Sequence, residues 1–208
     1  MNRQDHLSRR LFQMVASVML LSGCTGFQAH QSDSTRLYVL DARPAIKVAQ
    51  AKRDLVLAVG APSAWPGFNT SQMAYVRQPH GLDYFAVSRW ADTPPRMLEP
   101  LLRYALEQTS SFRAIVRAPG SYAADIRLET ELIRLQQDFQ KQPSQVQLTL
   151  RTQLIDVVSK RIIAVKQFDG VENAPSDDPY GGVVAANRLL QRMLGELADF
   201  CVNASVGQ

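Results

Sequence analysis

How much of this chain is left to fold is decided by its first 24 residues. Arg3, Arg9 and Arg10 make a positive stretch, Leu11 to Leu21 (LFQMVASVMLL) is apolar, and Ser22-Gly23-Cys24 ends the run. The apolar stretch has the length of a signal-peptide core and falls well short of the ~20 residues that span a bilayer. Small residues directly before a cysteine form the pattern that a lipoprotein signal peptidase cuts. Residues 1–23 are therefore read as a lipoprotein signal peptide and Cys24 as the lipidated first residue of the mature chain. Its sulfur is expected to carry a thioether-linked diacylglyceryl group, and its amine an acyl chain such as palmitate. Burying acyl chains contributes about 0.8 kcal/mol per methylene, so two or three chains hold a folded domain on a membrane. Thr25 stands where an aspartate would signal inner-membrane retention. The expected location is the outer membrane, with the domain facing the periplasm.

Of the 208 residues, about 185 remain after cleavage, enough for one domain on a short tether. The formal charge of +4 includes the signal-peptide arginines, and the mature chain keeps only about +2. No lysine or arginine run occurs, and no basic stripe is interleaved with aromatic residues, so nucleic acid is not an expected partner. With Cys24 lipidated, Cys201 is left alone and no disulfide can close within the chain. Cys201 falls on the apolar stripe of a predicted helix, where a free cysteine acts as a small buried hydrophobe.

Residues 24–36 are polar and aperiodic, the character of a lipidated tether, and the domain is expected over 37–204. Residues 36–41 read as a first strand. Residues 54–60 (DLVLAVG) form a continuous apolar strand of the kind buried on both faces. Two short strands over 71–77 and 82–88 flank the turn Pro79-His80-Gly81. Thr93-Pro94 opens a helix over 94–108 with a broad apolar stripe, which either starts near Met97 or bends at Pro100. A strand over 112–116 follows. The long strand over 121–139 changes the parity of its apolar positions after Leu132, which a β-bulge explains. Val146, Leu148, Leu150 and Leu154 alternate with polar residues, and Ser159-Lys160 turns the chain into a strand over 161–168. A last helix covers 179–201, with Val183, Ala186, Leu190, Met193, Leu197 and Cys201 on one stripe. The order β-β-β-β-α-β-β-β-β-α predicts an α+β fold: a mostly antiparallel sheet with two amphipathic helices packed on one face.

The chain carries few groups for catalysis. After processing, its histidines are His30, in the tether, and His80, in a turn. There is no GxSxG elbow, no glycine-rich phosphate loop after a strand and no ligand spacing suited to zinc. Asp177-Asp178 read as a helix cap and solvated loop, and Glu129 and Glu131 as a solvated strand face. No cofactor, metal site or enzyme activity is expected.

Aromatic residues are more suggestive. Trp65, Phe68, Tyr75, Tyr84, Phe85 and Trp90 fall where loops and short strands alternate. Large side chains under short strands account for such a cluster as core. The functional reading is that Trp65 and Phe68, flanking Pro66-Gly67, project from a loop onto a partner or a lipid. Trp90 joins them as a candidate partner contact, though it also suits a wedge beneath the helix that follows it.

The segment from Asp83 to Pro94, with its Arg89-Trp90-Ala91-Asp92 block, resembles the ABC-type transport auxiliary lipoproteins, the PqiC-like group that accompanies MCE-domain lipid transport systems. Further matching pieces are Cys24, Tyr38-Val39-Leu40, Leu57-Ala58-Val59-Gly60, Met73, Tyr75 and Asp125. Pro66-Gly67-Phe68-Asn69-Thr70 replaces a Tyr-Leu-Asp-Arg segment of some members. The resemblance implies a non-catalytic component that docks from its membrane on an MCE-domain periplasmic protein, while a permease and an ATPase supply energy. Phospholipid or another hydrophobic molecule would be the cargo, and a homo-oligomer would suit such docking. Two other readings remain open: a lipoprotein that itself carries lipid, and a regulator of a cell-wall synthase.

Overall fold

The computed structural model describes residues 34–46 and 52–205, with a compact unit that begins at Thr35. The signal peptide, Cys24 and nearly all of the tether lie outside the described residues. In chain order the elements are β1 (Arg36–Tyr38), β2 (Val56–Gly60), β3 (Ser63–Ala64), a 3-10 turn (Pro66–Phe68), β4 (Gln72–Val76), β5 (Asp83–Trp90), α1 (Pro94–Gln108), β6 (Ala114–Ala118), β7 (Ile126–Asp138), β8 (Gln145–Asp156), β9 (Ile162–Asn173) and α2 (Pro179–Ala204).

The 13-residue β7 is the spine of a nine-stranded sheet. One of its edges pairs antiparallel with β8, which pairs antiparallel with β9. Its other edge is shared by three short strands in succession, all parallel to it: β2 opposite Ile126–Leu128, β3 opposite Glu131–Leu132 and β4 opposite Gln136–Asp138. From β2 the sheet continues to β6, and from β4 through β5 to β1.

The α+β class holds, but the sheet is mixed rather than mostly antiparallel. Parallel pairing requires a crossover, because the chain must return to the same end before the partner strand starts. Here α1 lies on the route from the early strands back to β6 and β7. The all-buried run Val56–Val59 fits a strand flanked on both sides by parallel neighbours.

Alternation along β7 and β8 sorts the core. Ile126, Leu128, Thr130 and Leu132 are buried, then Leu135 and Gln137, with the parity change at a bulge between Leu132 and Arg134. Opposite them Val146, Leu148, Leu150, Thr152 and Leu154 are buried. The expected bulge therefore lies where the apolar pattern changes. Leu98, Leu102, Ala105 and Leu106 of α1 join these residues in a single core with Val183, Ala186, Leu190, Met193, Leu197 and Cys201 of α2. Helix α1 runs from Pro94 through Pro100 without interruption. Both Pro100 and Arg96 are exposed, so the carbonyl that Pro100 leaves without a donor is on the wet side.

Helix ends follow the local chemistry. Asp178 caps α2, its side chain accepting the Gly181 N–H at 2.7 Å. Thr93 opens α1 in extended geometry but its hydroxyl makes no cap bond. Instead Asp92 accepts the Thr93 N–H at 2.7 Å and pairs with Arg96 one turn on.

Candidate partner-binding surfaces

The loop carrying Trp65 exists because β7 and the strands along its edge advance at different rates. Between the pairs Ala64–Leu132 and Ala74–Gln136, β7 advances four residues and the opposing chain ten. The surplus leaves the sheet as an excursion containing Trp65-Pro66-Gly67-Phe68. It is tied down on both sides. The Trp65 N–H donates to the Leu132 carbonyl at 2.9 Å, and the Phe68 and Asn69 N–H groups donate to the Trp65 carbonyl at 2.8 and 3.1 Å. The Tyr84 hydroxyl donates to the Gly67 carbonyl at 3.0 Å.

On this fixed platform Trp65 stays 51% exposed, while Phe68 is half-buried against the core. The exposed Leu82 lies beside Gly67 and enlarges the apolar surface. Trp90 has the opposite fate. It is only 4% exposed, a core residue at the junction of β5 and α1. Its N–H donates to the Ser71 carbonyl, and the next N–H, of Ala91, donates to the Tyr38 carbonyl. Trp90 thus ties β1, β4 and β5 together beneath the helix and presents no surface to a partner. Of the three candidate contacts, the structure brings Trp65 and Phe68 together on one loop and separates Trp90 from them.

The other aromatic residues of this region are structural. Tyr75, Phe85 and Phe139 form a half-buried cluster with ring centroids 4.6–6.1 Å apart, and Arg77 lies over the Tyr75 ring at 5.0 Å.

Glu129 and Asp177, two of the polar residues weighed for chemistry, are held by other partners. Glu129 accepts from Gln153 at 2.7 Å and pairs with Arg127 at 2.8 Å on the outer strand face. Asp177 accepts the Ser144 N–H at 2.7 Å, which holds its carboxyl below the usual carboxylate range. His80 occupies the β4–β5 turn with φ 64°, exposed. Cys201 is fully buried, and burial pushes its thiol up, away from the reactive thiolate. Among the described residues no three His, Cys, Asp or Glu side chains converge to hold a metal.

A further surface escaped the sequence reading. An open groove of about 500 Å³ runs between the 37–43 segment and the first turns of α2, lined by Leu37, Tyr38, Val39, Tyr180, Val184 and Arg188 among others. Asn187 fastens the two walls: its Nδ2 donates to the Val39 carbonyl at 3.1 Å and its Oδ1 accepts the Asp41 N–H at 2.8 Å. The Tyr38 and Tyr180 rings meet with centroids 6.3 Å apart. Residues 37–39 and 180–188 are far apart in the chain, so the only local signal was an apolar edge strand followed by few polar residues.

These features define an α+β domain with an exposed aromatic loop and an open groove between β1 and α2. The same fold occurs in crystal structures of protein XCC0632 from Xanthomonas campestris and the hypothetical protein CT253 from Chlamydia trachomatis. The first is 20% identical, with a TM-score of 0.75 over 82% of this chain and 96% of that one. The second is 8% identical, with a TM-score of 0.53 over 75% of this chain and 100% of that one. Comparison with curated protein sequences gave no match. The chain belongs to the ABC-type transport auxiliary lipoprotein component family, whose model matches residues 38–198. Membership of a lipoprotein family fits a lipid-anchored envelope protein. Among the described residues no helix is long and apolar enough to cross a membrane.

Proposed function

We propose that this protein is the non-catalytic, lipid-anchored component of an MCE-type ABC transport system that moves phospholipid or another hydrophobic molecule across the envelope. The match to the transport auxiliary family over residues 38–198 carries the reading. Cleavage before Cys24 leaves a lipidated tether over 24–36 and a docking domain over 37–204, held on the outer membrane and facing the periplasm. Trp65 and Phe68 are the contacts offered to an MCE-domain protein: an aromatic side chain held out on a rigid loop loses little freedom on binding. Self-association of the domain would multiply that contact around the bridge.

The test places a photo-crosslinker at Trp65 in the full lipidated protein in its own membranes. Crosslinks to an MCE-domain protein, lost from a control position on the outer strand face such as Arg151, support the reading. Recovery of a peptidoglycan synthase without any MCE-domain protein refutes it in favour of a cell-wall regulator. Stoichiometric phospholipid bound to the detergent-purified protein would instead favour a lipid carrier.

A further inference from the structure

We infer that the groove face formed by β1 and the first turns of α2 rests on the anionic surface of the membrane that holds the anchor, fixing the orientation of the domain. This rests on the reading of Cys24 as the lipidated residue. Leu37 is 66% exposed and Tyr180 61%, and they lie on one groove with the exposed Val39. Large apolar side chains grouped on one surface mark a contact site, and tyrosine suits the headgroup level, where its ring is buried and its hydroxyl stays wet.

Charge and chain length select a membrane as the occupant. Arg43 and Arg188 line the groove, exposed Arg36 stands at the start of β1, and among the described residues none of the three pairs with a carboxylate. Among the described residues lining the groove, Asp41 is the one acidic residue. Apolar side chains framed by arginines match the boundary between acyl chains and anionic headgroups. Cys24 and Arg36 are twelve residues apart, so even a fully extended chain keeps β1 within about 40 Å of the anchored sulfur. Leu37 is thus the first exposed apolar residue of the folded domain as the chain leaves the membrane. The walls are also rigid, because Asn187 bonds both Val39 and Asp41 from α2. Contact at this face therefore orients the whole domain, the Trp65 loop included.

Cys201 is buried, so a cysteine introduced at the surface of the lipidated protein is the one thiol open to labelling. Leu37→Cys, Tyr180→Cys and Val158→Cys would each be labelled with an environment-sensitive fluorophore. The full lipidated protein is then reconstituted into vesicles of phosphatidylethanolamine and phosphatidylglycerol. Val158 is the control, 87% exposed in the β8–β9 turn. The expected result is a blue shift, and loss of emission to headgroup-nitroxide lipids, at positions 37 and 180 but not at 158. Arg36→Glu with Arg188→Glu should diminish both signals. If the protein floats with the vesicles but all three labels behave alike, the orientation is refuted and the anchor stands. If the labels at 37 and 180 respond only when an MCE-domain protein is added, the groove is a protein interface and the inference is equally wrong. A chain that does not float at all lacks its lipid, which overturns the anchoring reading and this inference with it.

Discussion

Asp125 and Val56 hold each other twice. The Asp125 carboxylate accepts the Val56 N–H at 2.7 Å, and the Asp125 N–H donates to the Val56 carbonyl at 3.0 Å. This reciprocal pair sets the register in which β2 enters beside β7, and the Asp125 carbonyl also accepts the Val157 N–H from the β8–β9 turn. Bonds to a charged acceptor contribute about 1.5–3 kcal/mol, so Asp125→Ala should lower stability by that amount. Asp125→Asn, which keeps an acceptor oxygen, should lose less. Urea unfolding midpoints at constant m-value would measure both.

Trp65 and Trp90 should respond very differently to truncation. Trp90→Ala removes a core side chain and should cost about 3–5 kcal/mol. Trp65→Ala, at a half-exposed position, should stay within about 1 kcal/mol of wild type. Thermal melts of the two variants decide it. A large loss at Trp65 would make its loop structural and withdraw it as a docking contact.

Gly182 packs tightly against Gln137. A Cβ there would collide with the Gln137 side-chain amide, which is buried and donates to the Ser144 hydroxyl at 2.9 Å and the Asp178 carbonyl at 3.2 Å. Gly182→Ala must shift the Gln137 amide and strain the two bonds its Nε2 donates, and the expected cost is about 1–3 kcal/mol. Combining it with Gln137→Ala should give less than the sum of the two single losses, a coupling that a double-mutant cycle reads directly.

Acid should loosen the approach to α2. The Ser144 N–H lowers the Asp177 carboxyl below its unfolded value, as Ser159 does for Asp156 and Gln167 with Thr149 for Asp169. A carboxyl whose folded pKa is depressed contributes stability above its unfolded pKa, near 3.9, and loses it as pH falls through the lower folded value. Stability should therefore decline below about pH 4, and Asp177→Asn should flatten part of that decline. Denaturant titrations across acidic pH would show the difference.

Cys201 should be inert in the native protein. Its thiol is buried and pushed up by burial, so modification by a thiol reagent requires opening of the core. Labelling should proceed at the opening rate and become immediate in denaturant. Fast native labelling would place Cys201 at the surface and contradict the core described above.

Local pattern was enough to determine much of this protein. The stripes of α1 and α2, the bulge after Leu132, the turn at Ser159-Lys160 and the cap at Asp178 are all legible in short windows. Each reflects a repeat of 3.6 or 2 residues or a single backbone group seeking a partner. Strand direction was not legible, because whether β2, β3 and β4 lie parallel or antiparallel to β7 depends on how a chain some 60–70 residues longer closes around α1. The continuous apolar run Val56–Val59 was the one local hint of parallel neighbours. Nor could composition separate Trp65 from Trp90, two tryptophans beside short strands, since exposure depends on which face the completed sheet turns toward the helices. The groove between β1 and α2 is the clearest case. Its walls come from opposite ends of the domain and meet only when Asn187 bonds to Val39 and Asp41, so that surface belongs to the tertiary structure alone.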